Sequence, residues 1–261
     1  MGKAQSKLMP PKLMLNAVEG WGKTSCGAYT PKPFILMAQG ETGYITLLGA
    51  KRVPEIDTVL DDDGKPKVVE SWGELLAVLD YFIENNADYK TIILDALGGF
   101  ERLCHEYVCM RDFKNDWGEK GFTSYQKGYD VSVAEWQQLL KRLEIINAKG
   151  IMILMLSHCQ VRPFRNPIGE DFDRYVTNLH HKTWSPTVRW ADAVLFGNFI
   201  TIADKKGSRV RGIGGTDRVV YTERRDAWDA KNRYGMPECI DIPNNPTQIW
   251  PIIYKAIKGE G

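Results

Sequence analysis

The chain has 261 residues, 43% of them hydrophobic and 26% charged, with 34 basic against 33 acidic side chains. Those proportions exclude a disordered or collagen-like chain, and the near-zero net charge means that any polyanion must be met by a local patch. The longest apolar run, Ile151 to Leu156, is far too short to cross a bilayer and no signal-peptide pattern precedes it, so a cytoplasmic protein without membrane attachment is expected.

Residues 1–11 read as a flexible lead broken by Pro10 and Pro11. Lys12 to Asn16 is a short strand running into a glycine loop, then a helix halted by Pro31 and Pro33. Pro33 to Ala38 gives a second buried strand, and Tyr44 to Val53 a strand or hairpin before the turn Asp61-Asp62-Asp63-Gly64. Ser71-Trp72-Gly73-Glu74 is a capping-box pattern that opens an amphipathic helix reaching Asn86.

Thr91 to Leu94 is a β-branched run closed by Asp95, with helical periodicity from Phe100 to Met110. A long helix, Val131 to Ala148, leads through Lys149-Gly150 into a strand, Ile151 to Ser157. From Ala193 onward the pattern predicts short strands and turns at Gly207, Gly212 and Gly214-Gly215, then a last helix from Gln248 to Lys258. Strands alternating with helices imply an α/β fold whose mostly parallel sheet is covered on both faces, with an antiparallel C-terminal extension. One domain is expected, a nucleotide-binding core over 12–200 and C-terminal strands and helix over 201–261. The five cysteines lack CxxC spacing and read as reduced, buried thiols.

The strongest chemical signal is Ala17-Val18-Glu19-Gly20-Trp21-Gly22-Lys23-Thr24-Ser25, set between a strand and a helix as a phosphate-binding loop requires. Glycines let successive backbone N–H groups turn toward a phosphate and the helix N-terminus adds positive potential. Lys23 would bridge the β- and γ-phosphates, and Thr24 would ligate magnesium. ATP and Mg2+ are the expected cofactors; no Asn-Lys-x-Asp motif for guanine is present. Alanine at position 17 departs from the usual first glycine of such loops.

Asp95 at a strand's end is a candidate for the magnesium shell, or else a helix N-cap. A positioner for attacking water is sought in Glu41, past the second strand, with Glu101 and Glu106 as alternatives. His158 ends a strand and either faces the same crevice, sensing the γ-phosphate, or is a capping or core histidine. Two polar segments read as loops with basic and aromatic residues that suit single-stranded nucleic acid. The first, residues 161–182, carries Arg162, Phe164, Arg165, Arg174 and Lys182, diluted by Glu170, Asp171 and Asp173. The second, residues 117–129, carries Lys120, Phe122, Tyr125 and Lys127.

The order of phosphate loop, Glu41, Asp95 and His158 resembles the RecA-type ATPase core. Lys231-Asn232-Arg233-Tyr234-Gly235 is similar to the Lys-x-Lys/Arg segment of RecA, RadA and DnaB-type helicases. Within that superfamily, residues 12–242 look like the compact phage ATPases linked to single-strand annealing, the fourth Sak family. The resemblance implies DNA-stimulated ATP hydrolysis, single-stranded DNA bound by the two loops, and a homo-oligomer in which Lys231 and Arg233 reach a neighbour's γ-phosphate. It also implies a phage or prophage origin and a single-strand-binding or replication protein as a partner. A nucleotide-gated binding module with little turnover, such as a helicase loader or recombinase partner, is the alternative.

Overall fold

The computed structural model describes residues 9–85, 88–206 and 209–260, with the backbone alone over 201–214. In chain order the first half is β1 (Lys12–Ala17), α1 (Lys23–Ala28), β2 (Pro33–Met37), α2 (Gly43–Gly49), β3 (Asp57–Thr58), α3 (Trp72–Glu84), β4 (Thr91–Asp95), α4 (Leu97–Phe113) and α5 (Lys127–Ala148). The second half is β5 (Met152–Phe164), β6 (Phe172–Thr177), α6 (His181–Trp190), β7 (Ala193–Lys206), β8 (Arg209–Tyr221), β9 (Lys231–Asn232), β10 (Cys239–Ile242) and α7 (Pro246–Lys258).

The apolar strands β1, β2, β4 and β5 are buried on both faces, so they form the interior of a parallel sheet. The sheet order is β10-β8-β7-β1-β5-β4-β2-β3, with β6 beside β5 and β9 beside β7. β3, β2, β4, β5, β1 and β7 run parallel, and β8 and β10 add antiparallel strands at one side. The α/β architecture expected from the alternating pattern is therefore present.

Two apolar cores lie on opposite faces of the sheet. One joins Met14, Leu36, Ile92 and Ile153 to α3, α4 and α5 through Leu79, Phe100 and Trp136. The other joins Leu13, Leu15, Ile35 and Leu154 to α1, α2 and α7 through Cys26, Tyr44, Ile249 and Ile253. On α7 the buried residues Ile249, Ile253 and Ile257 recur every fourth position, with Trp250 beside them. Each such side chain removed from water contributes about 1.5–3 kcal/mol. The C-terminal helix thus closes the face that carries α1.

The capping box forms as read: Glu74 N–H donates to Ser71 Oγ at 3.1 Å, while the Glu74 carboxylate accepts from Glu70 N–H at 2.8 Å. Four expectations are corrected. Residues 44–53 hold the helix α2, because Tyr44 is buried and its hydroxyl engages the backbone of Pro54 and Ile56. Residues 161–182 are a β-hairpin of β5 and β6 followed by the start of α6, not a loop. Residues from 193 form two long paired strands, so Gly212 and Gly214-Gly215 lie in β8 and the boundary drawn at 200 falls inside β7. Of the lead expected to be flexible, 1–8 fall outside the described residues, as does Gly207, whereas Pro10 and Pro11 carbonyls accept from Asn147 Nδ2 and Ile153 N–H.

Candidate nucleotide site

The phosphate loop leaves the C-terminal end of β1, and its conformation fits a polyphosphate. Gly20 and Gly22 adopt φ of 73° and 104°, where L side chains are strained, and a Cβ on Gly20 would point into open space. Gly22 is then the N-cap of α1. Ala17 needs no such freedom: it is the last residue of β1, paired with His158 on one side and Gly197 on the other. Alanine there is simply a strand residue, and the missing first glycine is accounted for.

Lys23 is buried, and its Nζ donates to the carbonyls of Ala17 at 3.0 Å and Val18 at 3.4 Å. Burial lowers its pKa, against the pull of Asp95, Cys159, Glu41 and Glu19. Those loop carbonyls are weak partners for an ammonium, so Lys23 is held within the loop ready for a stronger anion. Thr24 Oγ1 donates to Asp95 Oδ2 at 2.6 Å, bringing together the two residues read as magnesium-shell groups. Asp95 is buried and desolvation raises its pKa, opposed by the Thr24 hydrogen bond. A hydroxyl and a carboxylate suit a hard cation that keeps waters and phosphate oxygens in its shell.

Glu41 follows β2 and meets His158 of β5, with Nε2 at 3.2 Å and 3.4 Å from its carboxylate oxygens. The hydrogen bond from His158 holds the Glu41 carboxyl below its ordinary pKa, outweighing burial. Glu41 is therefore ionised at neutral pH and able to accept a proton. The cleft is about 420 Å³ and is lined by Glu19, Gly20, Lys23, Thr24, Asp95 and His158 among others. Glu41, Asp95, His158 and the loop thus converge as the sequence suggested. The alternatives do not: Glu101, on α4, is buried against the start of α6, accepting from His180 N–H and Thr183, and Glu106 pairs with Arg102 on the surface.

Other expected site residues sit elsewhere. Trp21 is fully buried and its Nε1 donates to Val219 O at 3.3 Å, so its ring anchors the loop from beneath and does not line the cleft. Ser25 is buried on α1 at the cleft wall. Phe122 is fully buried against Trp117, Tyr129 and His105, which removes it from any nucleic-acid surface. Arg174 is buried and paired with Asp229 at 2.6 Å, and Lys182 pairs with Asp130 at 2.6 Å. Lys120, Tyr125, Lys127, Arg162 and Arg165 are exposed, and Phe164 is half-buried.

Lys231 and Arg233 lie at the opposite end of the sheet, beside the start of β7. Lys231 Nζ donates to the carbonyls of Val188, Arg189 and Ala191, satisfying the last turn of α6. Within one copy, that task occupies the ammonium that the resemblance assigns to a neighbour's γ-phosphate. Arg233 pairs with Asp192 at 3.2 Å but is exposed.

Residues that sequence reasoning passed over also line the cleft: Leu47 and Arg52 from α2 and its end, Arg218 from β8 and Pro246 at the start of α7. No local motif marks them, since topology alone brings them to the loop. No described helix is long and apolar enough to cross a membrane.

Comparison with curated proteins gave no match. A family model described as AAA domain matches residues 9–234. It supports a P-loop NTPase and lends no support to the narrower likeness to phage annealing ATPases. With the phosphate loop, Asp95 and the parallel sheet in place, the chain belongs to the AAA domain family, as a nucleotide-binding P-loop ATPase.

Proposed function

We propose that the protein is a magnesium-dependent ATPase that binds single-stranded DNA and promotes annealing or recombination. The nucleotide cleft would be read out by the β5–β6 hairpin. The observation that carries this reading is the continuity of β5, which passes from His158, in contact with Glu41, through Arg162 to Phe164 without a break.

Lys23 and Thr24 would hold the polyphosphate and, with Asp95, the magnesium ion, which when bound neutralises charge on the transferred phosphoryl group. Glu41 orients and accepts the proton of the attacking water, and His158 holds Glu41 in place. Beyond the cleft, the exposed Arg162 and Arg165 meet DNA phosphates and Phe164 a base. The segment with Lys120, Tyr125 and Lys127 adjoins the hairpin's base: Tyr129 stacks on His180 at 4.2 Å, three residues past β6.

A homo-oligomer belongs to this reading. Arg233 lies away from its own cleft, so it can reach a nucleotide only in another copy, and its exposed pair with Asp192 is worth no more than about 1 kcal/mol.

Steady-state ATP hydrolysis with and without single-stranded DNA, with Lys23→Ala as blank, tests the proposal. Stimulation by DNA, with binding that weakens steeply as salt rises, is expected. The exposed Glu170, Asp171 and Asp173 on the hairpin favour a second reading, a nucleotide-gated contact with a protein such as a single-strand-binding or replication protein. Hydrolysis or nucleotide binding indifferent to DNA selects that reading.

A further inference from the structure

Across the C-terminal end of the sheet the strands stand in the order β8, β7, β1, β5, β4, β2. The residues that face the terminal phosphate and its metal, His158, Asp95 and Glu41, all lie on the β5, β4 and β2 side of the phosphate loop. A nucleotide seated in the loop has its terminal phosphate on that side, so its nucleoside is directed to the other, toward β7 and β8.

Arg218 stands there. It is on β8, paired with Phe199 of β7, two positions beyond the Gly197 that flanks Ala17, and it lines the same cleft as Lys23. Its guanidinium lies over the Phe199 ring at 5.7 Å, and one Nη1 donates to Asn244 Oδ1 at 2.8 Å. Asn244 is in turn fixed by a bond from its Nδ2 to Thr216 Oγ1 at 3.1 Å.

Two further features set this arginine apart from a surface cation. Among the described residues no carboxylate lies within ion-pairing distance of it, and its Nε is buried without a hydrogen-bond partner. A guanidinium has five N–H donors in a rigid fork, and leaving one buried and unmet is unfavourable unless a ligand or a small shift supplies an acceptor. Pro246, which opens α7, adds a rigid apolar surface on the same wall.

We propose that Arg218, with Pro246, forms the subsite for the nucleoside end of the bound nucleotide, the guanidinium donating to acceptors of the ribose or base. The proposal rests on nucleotide binding at the phosphate loop. In it Arg218 is a binding and specificity residue, remote from the water-activating groups.

The test is calorimetric titration of the full chain with ATP, ADP and inorganic tripolyphosphate, each with magnesium. For Arg218→Ala the affinity for ATP and ADP should fall about tenfold, the effect of losing a hydrogen bond to a charged group, while tripolyphosphate binds as to the unaltered protein. Arg218→Lys keeps the charge and most of the packing on Phe199 but lacks the fork. It should remain several-fold weak for the nucleotides, and it stands in if Arg218→Ala does not fold. Unchanged nucleotide affinity, an equal loss for tripolyphosphate, or full recovery in Arg218→Lys overturns the assignment. Failure of the unaltered protein to bind tripolyphosphate or ATP would instead strike at the phosphate-loop reading beneath it.

Discussion

Thr24 and Asp95, 71 positions apart in the chain, are joined by a 2.6 Å hydrogen bond from hydroxyl to carboxylate. The bond holds both groups at the wall of the nucleotide cleft and favours the charged form of the buried Asp95, which desolvation opposes. Asp95→Asn retains the shape and removes the charge. Magnesium affinity in the presence of nucleotide should drop roughly ten- to a hundredfold, with hydrolysis falling in step. Magnesium titration of the hydrolysis rate checks this, and an unchanged midpoint would remove Asp95 from the metal shell.

Gly197 holds the loop from behind. A Cβ there would stand 2.7 Å from Trp21 Cε2 and 2.9 Å from Ala17 Cβ, both part of packed structure rather than mobile side-chain ends. Gly197→Ala should therefore displace Trp21 and spoil the loop, weakening nucleotide binding about tenfold or more and lowering stability by about 1–3 kcal/mol. Nucleotide titration and thermal melting of the variant would show both effects together; full nucleotide affinity would mean that Trp21 does not set the loop.

Phe122 and Tyr125 separate packing from exposure within one segment. Phe122 is fully buried, whereas Tyr125 is fully exposed with φ of 45°. Phe122→Ala should cost about 3–5 kcal/mol in denaturant unfolding. Tyr125→Ala should leave stability within about 0.5 kcal/mol, and weaken DNA binding if the proposed surface is used.

His105 gives a pH signature. It is buried against Phe122, Tyr129 and His180, its Nε2 has no partner among the described residues, and burial lowers its pKa to about 4. The folded state therefore resists protonation that the unfolded chain accepts below its ordinary 6.5. Stability contributed by neutral His105 is complete above pH 6.5 and is lost as pH falls from there to about 4, on the order of 3 kcal/mol in all. Melting temperature followed over that range should fall less steeply in His105→Phe than in the unaltered protein. Parallel curves would assign the acid sensitivity to other groups.

How far the chain could be read in advance follows from where its determinants lie. The phosphate loop, the Ser71–Glu74 cap and the apolar strands depend on neighbours within a few positions, so they stood out in the sequence. The helix over residues 43–49 did not, because Tyr44, Ile45 and Thr46 suit a strand and the decision rests on Tyr44 reaching the backbone of Pro54 and Ile56. The hairpin after His158 carried a signal that went unused: Asn166-Pro167-Ile168-Gly169 is a turn sequence, and Asn166 Oδ1 accepts from Ile168 N–H. Phe122 and Arg174 looked like nucleic-acid contacts because residue type says nothing of burial. Arg218 was invisible for another reason, its place in the cleft being fixed only when β8 is laid beside β7.

β5 extends six residues beyond His158, Cys159 to Phe164, and no glycine interrupts it. At strand spacing that arm is roughly 20 Å long. If the proposed function holds and nucleotide tilts His158, a strand without a glycine would carry that tilt toward the tip, and the displacement would grow with distance from the pivot. The protein would then signal its nucleotide state as a pointer does, by direction, rather than by ordering and melting a segment.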